Sequence, residues 1–341
     1  MKKILCLFII CVCAISLAAE DKSSREIRKS SEYRDARLNG AKTQVLLHVR
    51  DDQDAPVADA DVLVRMGMTF AEKSYDIKGV TDANGDFAIE GITTGNEIGI
   101  SLVKTGYYDS HCQLCYADMR APHDVKDGKW QPYPMERTVT LRKIMNPAAL
   151  KIGGGRYDIP GTNQWYSFDA VRGDWVEPYG RGVLPDFDIF YEWTGWNPLE
   201  CERQAFRVRF LNSKYNGYCF PDKTVESVFP YAYVADASTS YANDFYDECV
   251  GTNARDGVFD NKKDMLFRIR SETNKVGKVV SCYYGRFLKL NCYLRRDGTG
   301  GLLLRYQYNP VSNDTNLEDE EVSLRNERSC KSLQRRGDEP K

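Results

Sequence analysis

Residues 78–106, KGVTDANGDFAIEGITTGNEIGISLVKTG, leave the chain few choices. Asn84-Gly85 lies between two runs of alternating apolar residues. Gly85 can take the positive φ a tight turn needs, and Asn84 tolerates it. Phe87 and Ile89 then fall on one face of a strand. Ile98, Ile100 and Leu102 repeat the pattern before the Gly106-Tyr107 corner. The stretch predicts a β-meander of strand, Asn-Gly turn, strand, Gly-marked turn and strand.

The flanks have the same period. Thr43, Val45, Leu47 and Val49 share one face of residues 43–50, and Gln44, Leu46, His48 and Arg50 share the other. Val62 and Val64 mark a second strand over residues 60–66, and Val139 and Leu141 a last one. About seven short strands with Gly, Asn and Asp turns predict a β-sandwich of about 100 residues. Residues 1–19 read as a secretory signal: Lys2 and Lys3, an apolar stretch over 4–15, then small residues. Residues 20–42 are charged, Ser-rich and poor in apolar groups. They are expected to be a flexible segment, with a short amphipathic helix as the alternative.

DDQDAPVADADVLV, GVTDANGDFAIEGITTG and ISLVKTGYY together resemble the carboxypeptidase regulatory-like domain, a transthyretin-like sandwich. The likeness rests on Pro56-Val57, Thr81-Asp82 with Gly85 and Phe87, Gly95, and Gly106-Tyr107, and spans residues 42–143. It departs from the family over residues 109–136, an insertion that holds HCQLC and Trp130. The resemblance implies a non-catalytic module of a larger exported protein. The expected organisation is a signal peptide at 1–19, the flexible segment at 20–42, the sandwich at 43–145 and a linker at 146–161. An antiparallel β domain at 162–325 and a charged tail at 326–341 complete it. The linker reading rests on Asn146-Pro147 and Gly153-Gly154-Gly155.

The second half continues in period two. Phe206, Val208 and Phe210 alternate with Arg207 and Arg209; Phe267 and Ile269 alternate with Arg268 and Arg270. Residues 235–249 could hold one short helix, and the chain from Glu318 onward reads as a charged, fraying end. The fold class is therefore mainly β, a transthyretin-like sandwich followed by a larger antiparallel β domain. Asp174-Trp175-Val176-Glu177-Pro178-Tyr179-Gly180-Arg181-Gly182 resembles a segment recurrent in uncharacterised exported bacterial proteins. That likeness implies an architecture and no activity.

Charge excludes one class of partner. The chain carries 47 Lys+Arg against 49 Asp+Glu, a net of −2. There is no basic excess to neutralise phosphates, so nucleic acid is not an expected partner. Beyond the leader lie eight cysteines: Cys112, Cys115, Cys201, Cys219, Cys249, Cys282, Cys292 and Cys330. In an exported chain an even number favours disulfides.

Motifs with chemistry are few. His111-Cys112-Gln113-Leu114-Cys115, with His123 further on, fits a disulfide, a redox pair or a zinc site; the oxidising compartment favours the disulfide. Ser101-Leu102-Val103-Lys104-Thr105-Gly106 spells two overlapping penicillin-enzyme motifs. On a strand, residues three apart point to opposite faces, which separates Ser101 from Lys104. Asp82-Ala83-Asn84-Gly85-Asp86 resembles the start of a calcium loop but has Gly in the wrong place. Trp165, Trp175, Tyr179, Trp193 and Trp196 could form a sugar-stacking platform, with core packing the competing reading. Asp174, Glu177, Asp186, Asp188 and Glu192 lie near these aromatics. A glycosidase would need two such carboxyls about 5–10 Å apart.

The leading functional expectation is a non-catalytic exported binding or structural module that recognises carbohydrate or an envelope or cell-surface protein. It has no cofactor, no membrane span after signal cleavage, and a secreted or periplasmic address. The alternatives are a carboxylate-dependent hydrolase in the second domain and a purely structural assembly protein.

Overall fold

The computed structural model describes residues 26–67, 74–95, 97–118, 121–221, 225–250 and 264–327. The proposed leader, Cys330 and residues 328–341 of the expected tail lie outside them, as does the side chain of Cys249. The described chain is mainly β and forms two compact units. Among the described residues, no helix is long and apolar enough to cross a membrane.

The first unit holds residues 1–144, a short insert at 226–229 and the chain from 325 onward. Its central strand is Ala41–Arg50, with Thr43, Val45, Leu47 and Val49 buried on one face as the alternation requires. Burying each aliphatic side chain there is worth roughly 1.5–3 kcal/mol. Asp86–Thr93 pairs with it antiparallel and Met135–Thr140 parallel. A second sheet runs Tyr75–Val80, Asp61–Met66, Ile98–Val103, Ser110–Leu114. Val62, Val64, Ile100 and Leu102 from that sheet complete one core with the first.

Residues 78–106 are not a meander. Tyr75–Val80 and Ile98–Val103 belong to the second sheet, whereas Asp86–Thr93 between them belongs to the first. The chain therefore changes sheets at both turns. The Asn84-Gly85 turn is closed locally: Asp82 Oδ1 accepts from the Asn84 and Asp86 amides at 2.8 and 2.9 Å. Gly85 has φ +72, and a Cβ there would lie 2.5 Å from the Val49 carbonyl oxygen. The glycine is needed because the turn presses on the central strand.

Two further expectations are corrected, the flexible segment and the fraying end. Part of the flexible segment is a helix, Ser31–Asn39, capped by Ser30, whose hydroxyl accepts from the Tyr33 amide at 3.0 Å. Tyr33 and Ala36 are buried, and the Tyr33 ring meets the edge of Trp130 at 5.8 Å. Trp130, from the insertion, is fully buried, stacks on Tyr116 at 5.4 Å and donates to the Thr93 carbonyl at 2.9 Å. The insertion thus supplies core, and that core holds the helix. The charged end does not fray at its start either. Glu318 is buried and accepts from the Met145 and Asn146 amides at 2.9 and 2.6 Å, and residues 320–327 are helical.

The second unit, residues 145–225 and 230–324, is two five-stranded sheets around an aromatic core. One sheet runs Lys151–Asp158, Gly300–Tyr308, Val279–Leu294, Met265–Thr273, Gly217–Cys219. The other runs Asp174–Trp175, Trp165–Asp169, Phe187–Gly195, Cys201–Phe210, Asp244–Val250. Half of the expected linker is therefore an edge strand. Gly153 is bare because the Tyr306 ring occupies the space a Cβ would need, and Gly154, at φ +102, abuts the Leu304 carbonyl. The expected helix at 235–249 is absent: the chain turns at 236–239 and then runs as the strand Asp244–Val250.

Candidate functional site

The first sheet of the second unit buries Met265, Phe267, Ile269 and Phe287 in the main core. Leu266, Cys282 and Tyr284 alternate onto its other face, where Ala235, Tyr241 and Leu317 cover them as a smaller core. An open cleft of about 640 Å³ lies at the edge of that cover. Lys214, Tyr215, Gly277 and Lys278 line one side, residues 237–241 another, and Arg268 and Tyr284 come from the sheet.

Arg268 lies on Met265–Thr273, one strand in from the sheet edge, directly opposite Gly217 on one side and Tyr284 on the other. Its guanidinium donates from Nε to the Tyr215 carbonyl at 2.6 Å and from Nη1 to the Ala237 carbonyl at 3.4 Å, joining the two loops that border the cleft. Its Cζ lies 4.3 Å from the Tyr241 ring centroid. Tyr215 Oη closes the rim by donating to the Gly277 carbonyl at 2.7 Å. Burial pushes the Tyr241 hydroxyl well above the usual phenol range and raises that of Tyr284.

The charge balance of the cleft is unusual. Arg268 is only 5% exposed. The other two buried arginines have carboxylates: Arg142 has Asp52 at 2.8 Å and Arg286 has Asp264 at 3.4 Å; half-buried Arg270 has Asp186 at 2.9 Å and Asp169 at 2.8 Å. Among the described residues, no carboxylate pairs with Arg268, Lys214 or Lys278. The described lining of the cleft holds no acid. Asp236 is next to the lining, but its oxygens accept from Ser238 at 2.6 Å and Thr239 at 2.7 Å. A buried cation without a counter-charge is costly, and an anion in the cleft would remove that cost.

The five aromatics expected to form a platform do not come together. Trp175 is buried and donates to the Asp158 carbonyl at 3.0 Å. Trp193 is half-buried and donates to the Gly298 carbonyl at 3.1 Å. Tyr179 is 54% exposed beside Tyr166, and Trp196 is 90% exposed. Trp165 lies on the solvent face of its sheet, 5.3 Å from Phe190, with Arg209 4.4 Å from its ring. The register continues that row through Arg207 to Tyr246. The DWVEPYGRG segment is a loop wrapped on Asp174, which accepts from the Trp175 amide at 2.9 Å and the Arg181 amide at 3.0 Å.

The carboxylates proposed for hydrolysis are also separated. Asp186 is buried against Arg270 and the Ala170 amide, Asp188 accepts from Ser167 at 2.7 Å and pairs with Arg209 at 2.7 Å, and Glu192 pairs with Arg203 at 2.9 Å. None of the five lines the cleft.

The cysteine cluster fails for a simple reason. Ser110–Leu114 alternates buried and exposed, so Cys112 points inward and His111 outward. Cys115, three residues from Cys112, is exposed. His111 contacts Ser101 Oγ at 3.0 Å and His123 the Gln131 carbonyl at 3.0 Å, so neither histidine meets the thiols. Among the described residues there is no group of metal ligands. Among the described residues Cys112, Cys115, Cys219, Cys282 and Cys292 are free thiols, against the disulfide expectation for them. Asp82 and Asp86 are not a calcium loop, since Asp86 pairs with His48 at 2.9 Å and Arg50 at 3.2 Å.

Sequence reasoning missed the cleft. Its residues come from six separated segments between 214 and 313. Arg268 had shown only as a polar alternate of Phe267 and Ile269. The local signals were the Lys214-Tyr215 pair and the Ser238-Thr239-Ser240 run, and neither is specific alone.

No protein-family model matches the chain, and no curated protein matches it. Among solved structures, it is similar to 3-chlorocatechol 1,2-dioxygenase from Rhodococcus opacus at TM-score 0.25 and 16% identity, over 31% of this chain and 62% of that one. A chlorocatechol 1,2-dioxygenase from Pseudomonas putida gives TM-score 0.25 and 13% identity, over 34% and 63%. A DUF3823 family protein from Parabacteroides merdae gives TM-score 0.20 and 9% identity, over 80% of this chain and 99% of that one. Overlap this slight fixes neither fold nor chemistry, and the site is read from its own residues.

Proposed function

We propose that this chain is an exported, non-catalytic binding module whose second unit takes an organic anion in the Arg268 cleft. One observation carries the reading: Arg268 is buried at the cleft and, among the described residues, neither it nor Lys214 and Lys278 at the rim has a carboxylate partner. Natural folds match buried charges, as Arg142 and Arg286 do here. The cleft volume of about 640 Å³ is that of a small-molecule pocket and far exceeds the space of an inorganic ion. Export is supported by the charged, apolar and small-residue order of residues 1–19.

The test is thermal unfolding of the full chain in increasing succinate, gluconate or galacturonate. A ligand that binds only the folded state raises the midpoint with concentration. The rise is expected in the wild type and is lost in Arg268→Met. A midpoint indifferent to all three acids contradicts the reading.

A further inference from the structure

The cleft leaves one face of the second unit unused. On the solvent side of its second sheet, Trp165, Phe190, Arg207 and Tyr246 are direct partners across four neighbouring strands. At the usual strand spacing the row is about 14 Å long. Trp165 is 36% exposed and Tyr246 47%, and Arg207 between the aromatics is exposed as well. Its guanidinium carbon lies 5.8 Å from the Phe190 ring centroid and 5.1 Å from that of Tyr246. Among the described residues no carboxylate pairs with Arg207, whereas Arg203 and Arg209 on the same strand each have one. Exposed aromatics with arginine, and no lysine in any of the four strands, is the composition of a protein–protein contact.

The register makes this face complementary to itself. A two-fold axis lying in the plane of contact, along the strands and between Phe187–Gly195 and Cys201–Phe210, sets each of these two strands over the other in a second copy. Phe190 then faces the partner's Arg207 and Trp165 faces the partner's Tyr246; in the next row Asp188 faces the partner's Arg209. A wholly acidic partner would meet Glu192 and Glu248 in the row on the other side, and a basic one would meet Arg207. The pattern of both signs is matched by its own rotation. We infer that a second copy of the chain docks here, sheet against sheet, as a two-fold dimer.

Sedimentation velocity of the full chain, diluted from high to sub-micromolar concentration, tests the inference. The wild type is expected to run as a dimer that dissociates on dilution. Phe190→Arg sets like charges against the partner's Arg207 twice in each dimer and is expected to weaken association by about 100-fold or more. The double variant Phe190→Arg/Arg207→Glu sets opposite charges there and is expected to restore it. Tyr246→Ala, which removes an exposed side chain, is expected to weaken association by about tenfold and decides alone where Phe190→Arg does not fold. A wild type that stays monomeric throughout overturns the inference. A dimer indifferent to Phe190→Arg or to Tyr246→Ala uses another surface, and a folded Phe190→Arg monomer that Arg207→Glu does not rescue overturns the two-fold register.

Discussion

The guanidinium of Arg268 lies over the Tyr241 ring, 4.3 Å from its centroid, and is held there by carbonyl oxygens with no carboxylate in contact. Two residues along on the facing strand, Arg286 is fully buried and is paired with Asp264. Among the described residues, one sheet face therefore carries one arginine with a carboxylate partner and one without. On the proposed reading Arg268 takes an anion, while Arg286 is part of the fold.

Stability should register that difference. Arg268→Met deletes an uncompensated charge and leaves the Tyr215 and Ala237 carbonyls short of donors, at an expected cost of about 1–2 kcal/mol. Arg270→Met strands buried Asp169 and Asp186 and should cost about 3–5 kcal/mol. Urea unfolding of both variants gives the comparison. Equal losses would mean that Arg268 has a counter-charge.

Glycine in the DWVEPYGRG loop is a packing requirement. A Cβ on Gly180 would sit 2.5 Å from Asp174 Oδ1, the oxygen that accepts from the Trp175 amide. Gly180→Ala should destabilise by about 1–3 kcal/mol. Gly99, with open space around its Cβ position, is the control and should tolerate alanine. Calorimetric midpoints of the two variants check the contrast.

Acid titration probes the cleft rim. Hydrogen bonds from the Ser238 hydroxyl first, then the Thr239 hydroxyl and the Ser238 amide, hold the Asp236 carboxyl down at about 2. A depressed folded value means these bonds stabilise the turn above the ordinary carboxylate range and stop doing so as pH falls towards 2. Carbon-detected carboxyl NMR should place Asp236 below the other exposed aspartates, and Ser238→Ala should raise it. An unchanged titration in that variant would contradict the assignment.

Thiol chemistry gives a separate check on the first unit. In the native protein Cys115 should react readily with a thiol reagent, and Cys112, buried on the opposite face of its strand, should not. Mass spectrometry of the labelled protein reads both. Protection of the two together, relieved by reductant, would restore the disulfide.

The parts of the fold legible in the sequence were local ones. Thr43, Val45, Leu47 and Val49 announce a strand because period two is fixed by the pleat, whatever the strand pairs with. The Asn84-Gly85 turn was equally visible, but its geometry is the same whether its flanks pair with each other or leave for different sheets. That choice is made by distant partners, Ala41–Arg50 on one side and Asp61–Met66 on the other. Gly153-Gly154-Gly155 misled for a related reason: the Tyr306 ring that explains it lies far along the chain. The aromatic stretch at 165–196 suggested a platform, but alternation sends Trp165 to solvent while Trp175 is drawn into the core. The cleft was not legible, because an arginine without a carboxylate is a statement about neighbours in space.

The most direct test is a crystal structure of the full chain soaked with galacturonate. The account predicts its carboxylate within hydrogen-bond distance of the Arg268 guanidinium. Galacturonate bound on the Trp165–Phe190 face, with the Arg268 cleft empty, would contradict it.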